Sequence, residues 1–440
     1  MPHIVKISKK IKSYHKSIMV NGDKSLSIRW VLFSSLASGI SKASNLLMSE
    51  DVLAAINAIK KFGIRVETTK KYCLIYGKGV DGYKLRKNIT INAMNSGTLG
   101  RLLLGLLVDT KKKIKLIGDD SLSKRDFERV ATPLVNFGAK IKLRNNKFLP
   151  LTISGSNKLR PIKYFEKKGS AQCKSAVIFA GLKTDGTTII RAKKSRNHTE
   201  LLCKYLKLPV KIQTKKNYDV IKVNKAKKIK PFNYKIPSDI SSGAFFIVLT
   251  ALSEKSSLTI KSVNINPTRI GIVTILKKMG VKIKYKNKKI YKGEWIADIL
   301  IRSTKKIKSI NCPSKLNSTA IDEFLLIFLV AAKAKGVSYF KNLSELNQKE
   351  SPRLEWGSKI LNLMGIKTIT TSDSIKIFGN PNLKIDKKII IKNYLKDHRV
   401  FMASVIAAKS FGGQWQIHDK DSINTSFPSF LKILKKLDDN

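Results

Sequence analysis

The sequence predicts an α/β protein of about six helix-and-strand units, divided three and three. Three observations lead there. An apolar helix, a polar or glycine-containing break and a short apolar strand recur at Leu36-Ala37-Ser38-Gly39, Leu106-Leu107-Val108, Ala180-Gly181-Leu182, Thr250-Ala251-Leu252, Ala331-Ala332-Lys333 and Ala407-Ala408-Lys409. Copies at intervals of about 70 to 80 residues are a repeat architecture. A second element keeps the same period, a helix closed by a glycine and followed by a strand, over residues 59–66, 134–141, 276–283 and 361–368. Gly63, Gly138, Gly280 and Gly365 stand where a left-handed C-cap stops a helix. Pro209 is expected to do so in the third copy, and residues 431–437 form the sixth. Finally, 440 residues exceed what one hydrophobic core serves, so two domains are expected.

Composition narrows the class. Hydrophobic residues make up 42% of the chain, enough for substantial cores. The longest apolar runs, residues 244–252 and 324–332, are too short to cross a bilayer. Four well-separated cysteines, Cys73, Cys173, Cys203 and Cys312, suit neither a zinc site nor a disulfide scaffold and read as reduced structural thiols of a cytoplasmic protein. The formal net charge is +56. Its lysines are spread over the whole chain without an aromatic-interleaved basic block, which favours solvated faces over a nucleic-acid groove.

In chain order, residues 1–20 alternate Lys with small apolar residues and lack the continuous apolar segment of a secretory signal. Gly22-Asp23-Lys24-Ser25-Leu26-Ser27-Ile28-Arg29-Trp30 reads as a glycine-led turn into a helix whose apolar side continues through Val31, Leu32, Leu36 and Ala37. Lys24 and Ser25 are then expected in its exposed first turn, where backbone N–H groups and the positive end of the dipole favour an anion. A helix end contributes about 0.3–1 kcal/mol to holding an exposed charge, so Lys24 and Arg29 must supply most of the attraction. The plainer alternative is a solvated Asp-Lys pair on an ordinary helix.

Asn95-Ser96-Gly97-Thr98-Leu99-Gly100-Arg101 is expected to open a helix of residues 102–107, with glycines that admit a ligand to the backbone but no standard phosphate-loop spacing. Ser121-Leu122-Ser123-Lys124-Arg125-Asp126 would put two cations in a first helical turn, against the dipole unless an anion neutralises them. Ser170-Ala171-Gln172 precedes another apolar helix. Ser195-Arg196-Asn197-His198-Thr199-Glu200 supplies a cap, with His198 as a helix-start hydrogen-bonder rather than a base. The turn-rich Pro237-Ser238-Asp239-Ile240-Ser241-Ser242-Gly243 separates the halves. Ile321-Asp322-Glu323-Phe324 heads an apolar helix with two carboxylates, which dipole complementation alone would explain. In Lys349-Glu350-Ser351-Pro352-Arg353, Ser351 is the expected N-cap and Pro352 the first helical residue, leaving a Lys, a Glu and an Arg around one helix start. Asp397-His398-Arg399 repeats the theme ahead of a helix from Met402. Arginines at several helix starts imply a shared anionic ligand.

Taken jointly and in order, these motifs, with Thr425-Ser426-Phe427-Pro428 near the C-terminus, resemble the 5-enolpyruvylshikimate-3-phosphate synthase family, the 3-phosphoshikimate 1-carboxyvinyltransferases, over essentially the whole chain. The resemblance implies a two-domain inside-out α/β barrel of six βαβαββ repeats, three per domain, with residues 1–22 joined to 241–440, residues 23–240 inserted, and an active site in the interdomain cleft. The implied reaction moves the enolpyruvyl group of phosphoenolpyruvate to the 5-hydroxyl of shikimate 3-phosphate and releases phosphate, by addition and elimination through a tetrahedral intermediate. Carried onto this sequence, Lys24, Ser25, Arg29, Ser170, Ala171, Gln172, Arg196, Asp322 and Lys349 would hold shikimate 3-phosphate. Lys24, Gly97, Arg125, Gln172, Arg353 and Arg399 would hold phosphoenolpyruvate. Asp322 is the implied base, with Glu350 and Lys24 handling the methylene proton. No metal or cofactor is implied, and a cytoplasmic monomer is expected. Pro352 and Asn197 depart from acids frequent in the family, and Thr425 from a lysine used by some members. Leu99-Gly100 replaces a bulkier pair. The sister enolpyruvyl transferases that act on UDP-N-acetylglucosamine depend on a loop cysteine, and none of the four cysteines lies in a matching loop.

Overall fold

Helices Ile240–Leu252 and Phe324–Ala332 are apolar around their whole circumference, so neither can face water, and every residue of both is buried. In the computed structural model, which describes residues 3–83, 85 and 88–439, they pack on each other and on His398–Phe411 to form the centre of one unit. Lys24–Ser35, Gly97–Leu106 and Ala171–Gly181 form the centre of the other, with Gly97–Leu106 packing on both its neighbours. The first unit comprises Met1–Asn21, Pro237–Tyr291 and Trp295–Asn440, and the second Gly22–Ile236 with Lys292–Glu294. Met1, Pro2 and Asn440, at the ends of the expected domain bounds, lie outside the described residues.

Each unit carries three sheets. In the Gly22–Ile236 unit the strand orders are Asn233–Lys235, Ser38–Ser44, Tyr72–Lys78, Arg65–Thr68; Ile89–Asn92, Ile114–Ile117, Phe148–Ser154, Lys140–Arg144; and Lys163–Glu166, Thr188–Lys193, Tyr218–Val223, Val210–Thr214. The first pair of each is parallel and the rest antiparallel. In the second and third repeats the chain order is strand, helix, strand, helix, strand, strand, which is the expected βαβαββ. Strands such as Phe148–Ser154 alternate buried and more exposed residues, one face against the helices and one towards solvent. Helices inside and sheets outside follow from that patterning.

The first repeats exchange strands. His15–Ile18 precedes the helix Lys24–Ser35 in sequence yet pairs with Ser257–Asn264, and Asn233–Lys235 precedes Ile240–Leu252 yet pairs with Ser38–Ser44. Val5–Ile7 likewise completes the last sheet by pairing with Gln414–Ile417. The crossings sit a few residues from the expected 22/23 and 240/241. Gly22 groups with the inserted unit because it is pressed against the Asn45 carbonyl, where a Cβ would come within 2.1 Å. Residues 237–240 group with the other unit, where Asp239 N–H donates to the Asn21 carbonyl at 3.0 Å. The hairpin tip Lys292–Glu294, unforeseen in the sequence, groups with the inserted unit through the packing of Gly293 on Leu201.

Gly63, Gly138, Gly280 and Gly365 all take positive φ, between 80° and 112°, and cap their helices as expected. In the third copy the left-handed residue is Lys207, at φ 54°, so Pro209 is not the stop. The four cysteines are buried and free, and burial pushes Cys73 up to about 12 and Cys312 up to about 11, as suits structural thiols. No described helix is long and apolar enough to cross a membrane.

Candidate active site

In the Gly22–Ile236 unit the expected residues gather where helices begin. Asp23 caps Lys24–Ser35, its Oδ1 accepting from Leu26 N–H at 2.8 Å, and it is fully buried rather than solvated. Lys24 is only partly exposed, contrary to the expected open first turn, because its Nζ lies 2.7 Å from Asp51 Oδ2 at the start of the helix Glu50–Lys61. Arg29 is 3% exposed. Its Nε donates to Thr199 Oγ1 at 2.7 Å, Nη1 to the Ser25 carbonyl at 3.1 Å, and Nη2 to Ser175 Oγ at 3.1 Å. Burial pulls Arg29 down to about 10 against the attraction of Glu200 and Asp23, which leaves it charged at neutral pH; Arg196 stands close enough to add repulsion. His198 begins the helix His198–Tyr205 and its Nδ1 lies 2.7 Å from Glu294 Oε1, both side chains buried. It is a structural hydrogen-bonder, as expected.

Ser96 caps a helix that starts at Gly97, five residues before the expected start, so Gly97 and Arg101 are helical. Gly97 leaves room for cations: a Cβ there would meet Arg101 Nη1 at 2.9 Å and Arg125 Nη1 at 3.4 Å. Ser170 caps Ala171–Gly181, its Oγ accepting from Cys173 N–H, which puts Ala171 and Gln172 in the first turn. Gln172 Oε1 accepts from Arg101 Nη1 at 2.6 Å while its Nε2 donates to Thr98 Oγ1 at 3.0 Å, so the amide is held from both ends. Lys124 and Arg125 do not begin a helix: a 3-10 turn, Leu122–Lys124, ends there and Arg125 is extended, which removes the expected conflict with a dipole. What remains is crowding of like charges. Burial, then Arg129, and more weakly Arg125, pull Arg101 down to about 10. Three guanidinium groups so placed favour an anion.

The other unit gathers the second set. Asp322 Oδ1 lies 3.4 Å from Lys349 Nζ and 3.6 Å from Arg353 Nη1, and the Asp322 carbonyl accepts from Arg399 Nη1 at 2.8 Å. Glu350 pairs with Arg353 Nη2. Arg353 Nε donates to Asp397 Oδ2 at 2.8 Å. Ser351 is not the N-cap: the helix Arg353–Leu363 is preceded by Pro352, and the Ser351 hydroxyl instead donates to Asp397 Oδ2 at 2.8 Å. Asp397 caps His398–Phe411, which begins four residues before the expected Met402 and puts Arg399 in its first turn. Thr425 Oγ1 is 3.3 Å from His398 Nδ1 and donates to the Ser422 carbonyl. Among the described residues no three His, Cys, Asp or Glu side chains group as a metal site.

One unit thus gathers arginines near Gly97 and Gln172, and the other holds the Asp322 carboxylate among Lys349, Arg353 and Arg399. The family model described as EPSP synthase (3-phosphoshikimate 1-carboxyvinyltransferase) matches residues 8–434. The chain belongs to this family. The 3-phosphoshikimate 1-carboxyvinyltransferase of Ruthia magnifica subsp. Calyptogena magnifica is 39% identical over 98% of this chain and 97% of its own, and that of Thermoanaerobacter sp. (strain X514) 38% over 98% and 100%. The structure of EPSP synthase from Acinetobacter baumannii superposes with a TM-score of 0.88 at 34% identity, covering 99% of this chain and 98% of that one. The enolpyruvyl transferase NikO from Streptomyces tendae, at 13% identity and a TM-score of 0.78 over 99% of this chain and 98% of that one, shares the fold. The chain therefore has the two-domain inside-out α/β fold.

Within the inserted unit the expected Gly97, Arg125 and Gln172 come together around Arg101, and Ser25 and Arg196 stand near Arg29. Within the other, Asp322, Lys349, Glu350, Arg353 and Arg399 form one network. Thr98 and Arg101 lie in a named motif but not among the expected site residues, and Asp51 and Ser175 were not named at all. Arg101 carried a signal all the same, since an arginine running into the apolar stretch 102–107 has to find partners inside.

Proposed function

We propose that the two residue sets serve one reaction, transfer of the enolpyruvyl group of phosphoenolpyruvate to the 5-hydroxyl of shikimate 3-phosphate with release of phosphate. Family membership along nearly the whole chain makes this the reaction class, and the assignment of residues to steps is our reading. The observation that carries it is the Asp322 carboxylate between Lys349 and Arg353, a base on the same network as cations suited to phosphate and carboxylate.

Both substrates are polyanions, and cations must offset their repulsion before they can meet. Lys24, Ser25, Arg29, Ser170, Ala171, Gln172, Arg196 and Lys349 take shikimate 3-phosphate, and Gly97, Arg125, Arg353 and Arg399, with Lys24 and Gln172, take phosphoenolpyruvate. Holding the pair in register removes on the order of 7–11 kcal/mol of barrier. Asp322 accepts the 5-hydroxyl proton as the oxygen bonds to the central carbon of phosphoenolpyruvate, whose methylene takes a proton from Lys24 or Glu350. The tetrahedral adduct then loses phosphate and a methyl proton, restoring the double bond. Action as a monomer is our expectation, and four cysteines without a disulfide support a reducing, cytoplasmic setting.

Phosphate release tests the reading against the sister reaction. Incubation with phosphoenolpyruvate and shikimate 3-phosphate is expected to release phosphate, and incubation with phosphoenolpyruvate and UDP-N-acetylglucosamine is not. Release with only the second acceptor would replace the assignment.

A further inference from the structure

A buried polar chain runs behind the second set of site residues. Asp239 caps the central helix Ile240–Leu252, and Arg269 Nη2 reaches both its Oδ1, at 3.3 Å, and Ser241 Oγ, at 2.8 Å. The Ser241 hydroxyl donates to Glu323 Oε1, the same oxygen that lies 3.6 Å from Arg399 Nη1. That nitrogen in turn donates to the Asp322 carbonyl. Asp239, Ser241, Arg269 and Glu323 are each 5% exposed or less, whereas the Arg399 side chain keeps 13% exposure. A buried carboxylate is costly unless cations and hydrogen bonds satisfy it, and Glu323 has Arg399, the Ser241 hydroxyl and, through that hydroxyl, Arg269.

Resting on the reading of Arg399 as a phosphoenolpyruvate ligand, we propose that Glu323 is a positioning residue for the reaction: anchored by Ser241 and Arg269, it fixes the Arg399 guanidinium against the Asp322 carbonyl, so that phosphoenolpyruvate meets a cation already in place. Glu323 touches neither substrate. It acts by limiting the orientations of a side chain that would otherwise lose rotamer freedom on binding. Its charge matters as well as its shape, because Arg399 reaches it only across 3.6 Å, an electrostatic contact rather than a short hydrogen bond.

The test compares Glu323→Gln, Ser241→Ala and Arg399→Lys by steady-state kinetics with each substrate varied. Glu323→Gln keeps the size and the acceptor for Ser241 but removes the charge. It is expected to raise KM for phosphoenolpyruvate on the order of tenfold or more while KM for shikimate 3-phosphate stays put. Ser241→Ala, which should fold whether or not the Gln variant does, is expected to shift the same constant in the same direction by less. Arg399→Lys must also raise it. If Arg399→Lys does so and the other two do not, the positioning role is wrong and the reading of Arg399 stands. If Arg399→Lys leaves it unmoved, the reading of Arg399 fails and the inference with it. Equal rises in both KM values would mark a general disturbance of the unit and overturn the positioning role.

Discussion

At Arg353 and Asp397, neighbours reverse what burial alone would do. Burial pulls the Arg353 guanidinium down, but Asp397, Glu350 and Asp322 more than offset it and hold it above its ordinary value. Burial likewise pushes the Asp397 carboxyl up, and Arg353 pulls it below the usual range. A carboxyl depressed in the folded state adds stability at pH values above its unfolded pKa, about 3.9, and loses it as pH falls through the folded value. Asp397→Asn is therefore expected to cost about 3–5 kcal/mol at pH 7, by denaturant unfolding, because it leaves Arg353 without its strongest partner. The cost should shrink as pH drops below the ordinary carboxylate range; no cost at pH 7 would contradict the pairing. The sequence pointed to Arg353 and to the motif holding Asp397, yet not to their contact, since 44 residues separate them and only the folded chain joins them.

For the elements, the recurring feature is close approach of a hairpin strand to the end of its central helix. A Cβ on Gly77 would lie 2.2 Å from the carbonyls of both Ser34 and Ala37, and on Gly379 2.2 Å from that of Ala334 and 2.6 Å from that of Ala331. These are backbone atoms and cannot step aside as a flexible side chain would. Gly379→Ala is expected to destabilise by about 1–3 kcal/mol and lower Tm with the site intact; an unchanged Tm would show slack there. Helices and their glycine caps were legible because apolar periodicity and left-handed turns are local. Helix starts were less so. Ser351 looked like a cap by its place before Pro352, but its hydroxyl found the buried Asp397 instead, and Lys207 took the turn assigned to Pro209 because the chain had already reversed before it.

Across the whole molecule, each unit's first repeat borrows its leading strand from the far side of a chain crossing. Strands of three or four residues carry too little pattern to name their partners, so residues 15–18 and 233–235 could not be assigned from periodicity. Residues assigned to the reaction are likewise divided between the units, and motif order in the sequence grouped them before any distance did. The lysines behind the net charge of +56 are spread along the whole sequence. Asp322 is proposed to take the hydroxyl proton. Phosphate release from phosphoenolpyruvate and shikimate 3-phosphate by Asp322→Asn tests it most directly. Loss of this base is expected to lower kcat by about 10²–10⁴-fold with the folded state retained. A folded Asp322→Asn enzyme turning over at the unsubstituted rate would contradict it.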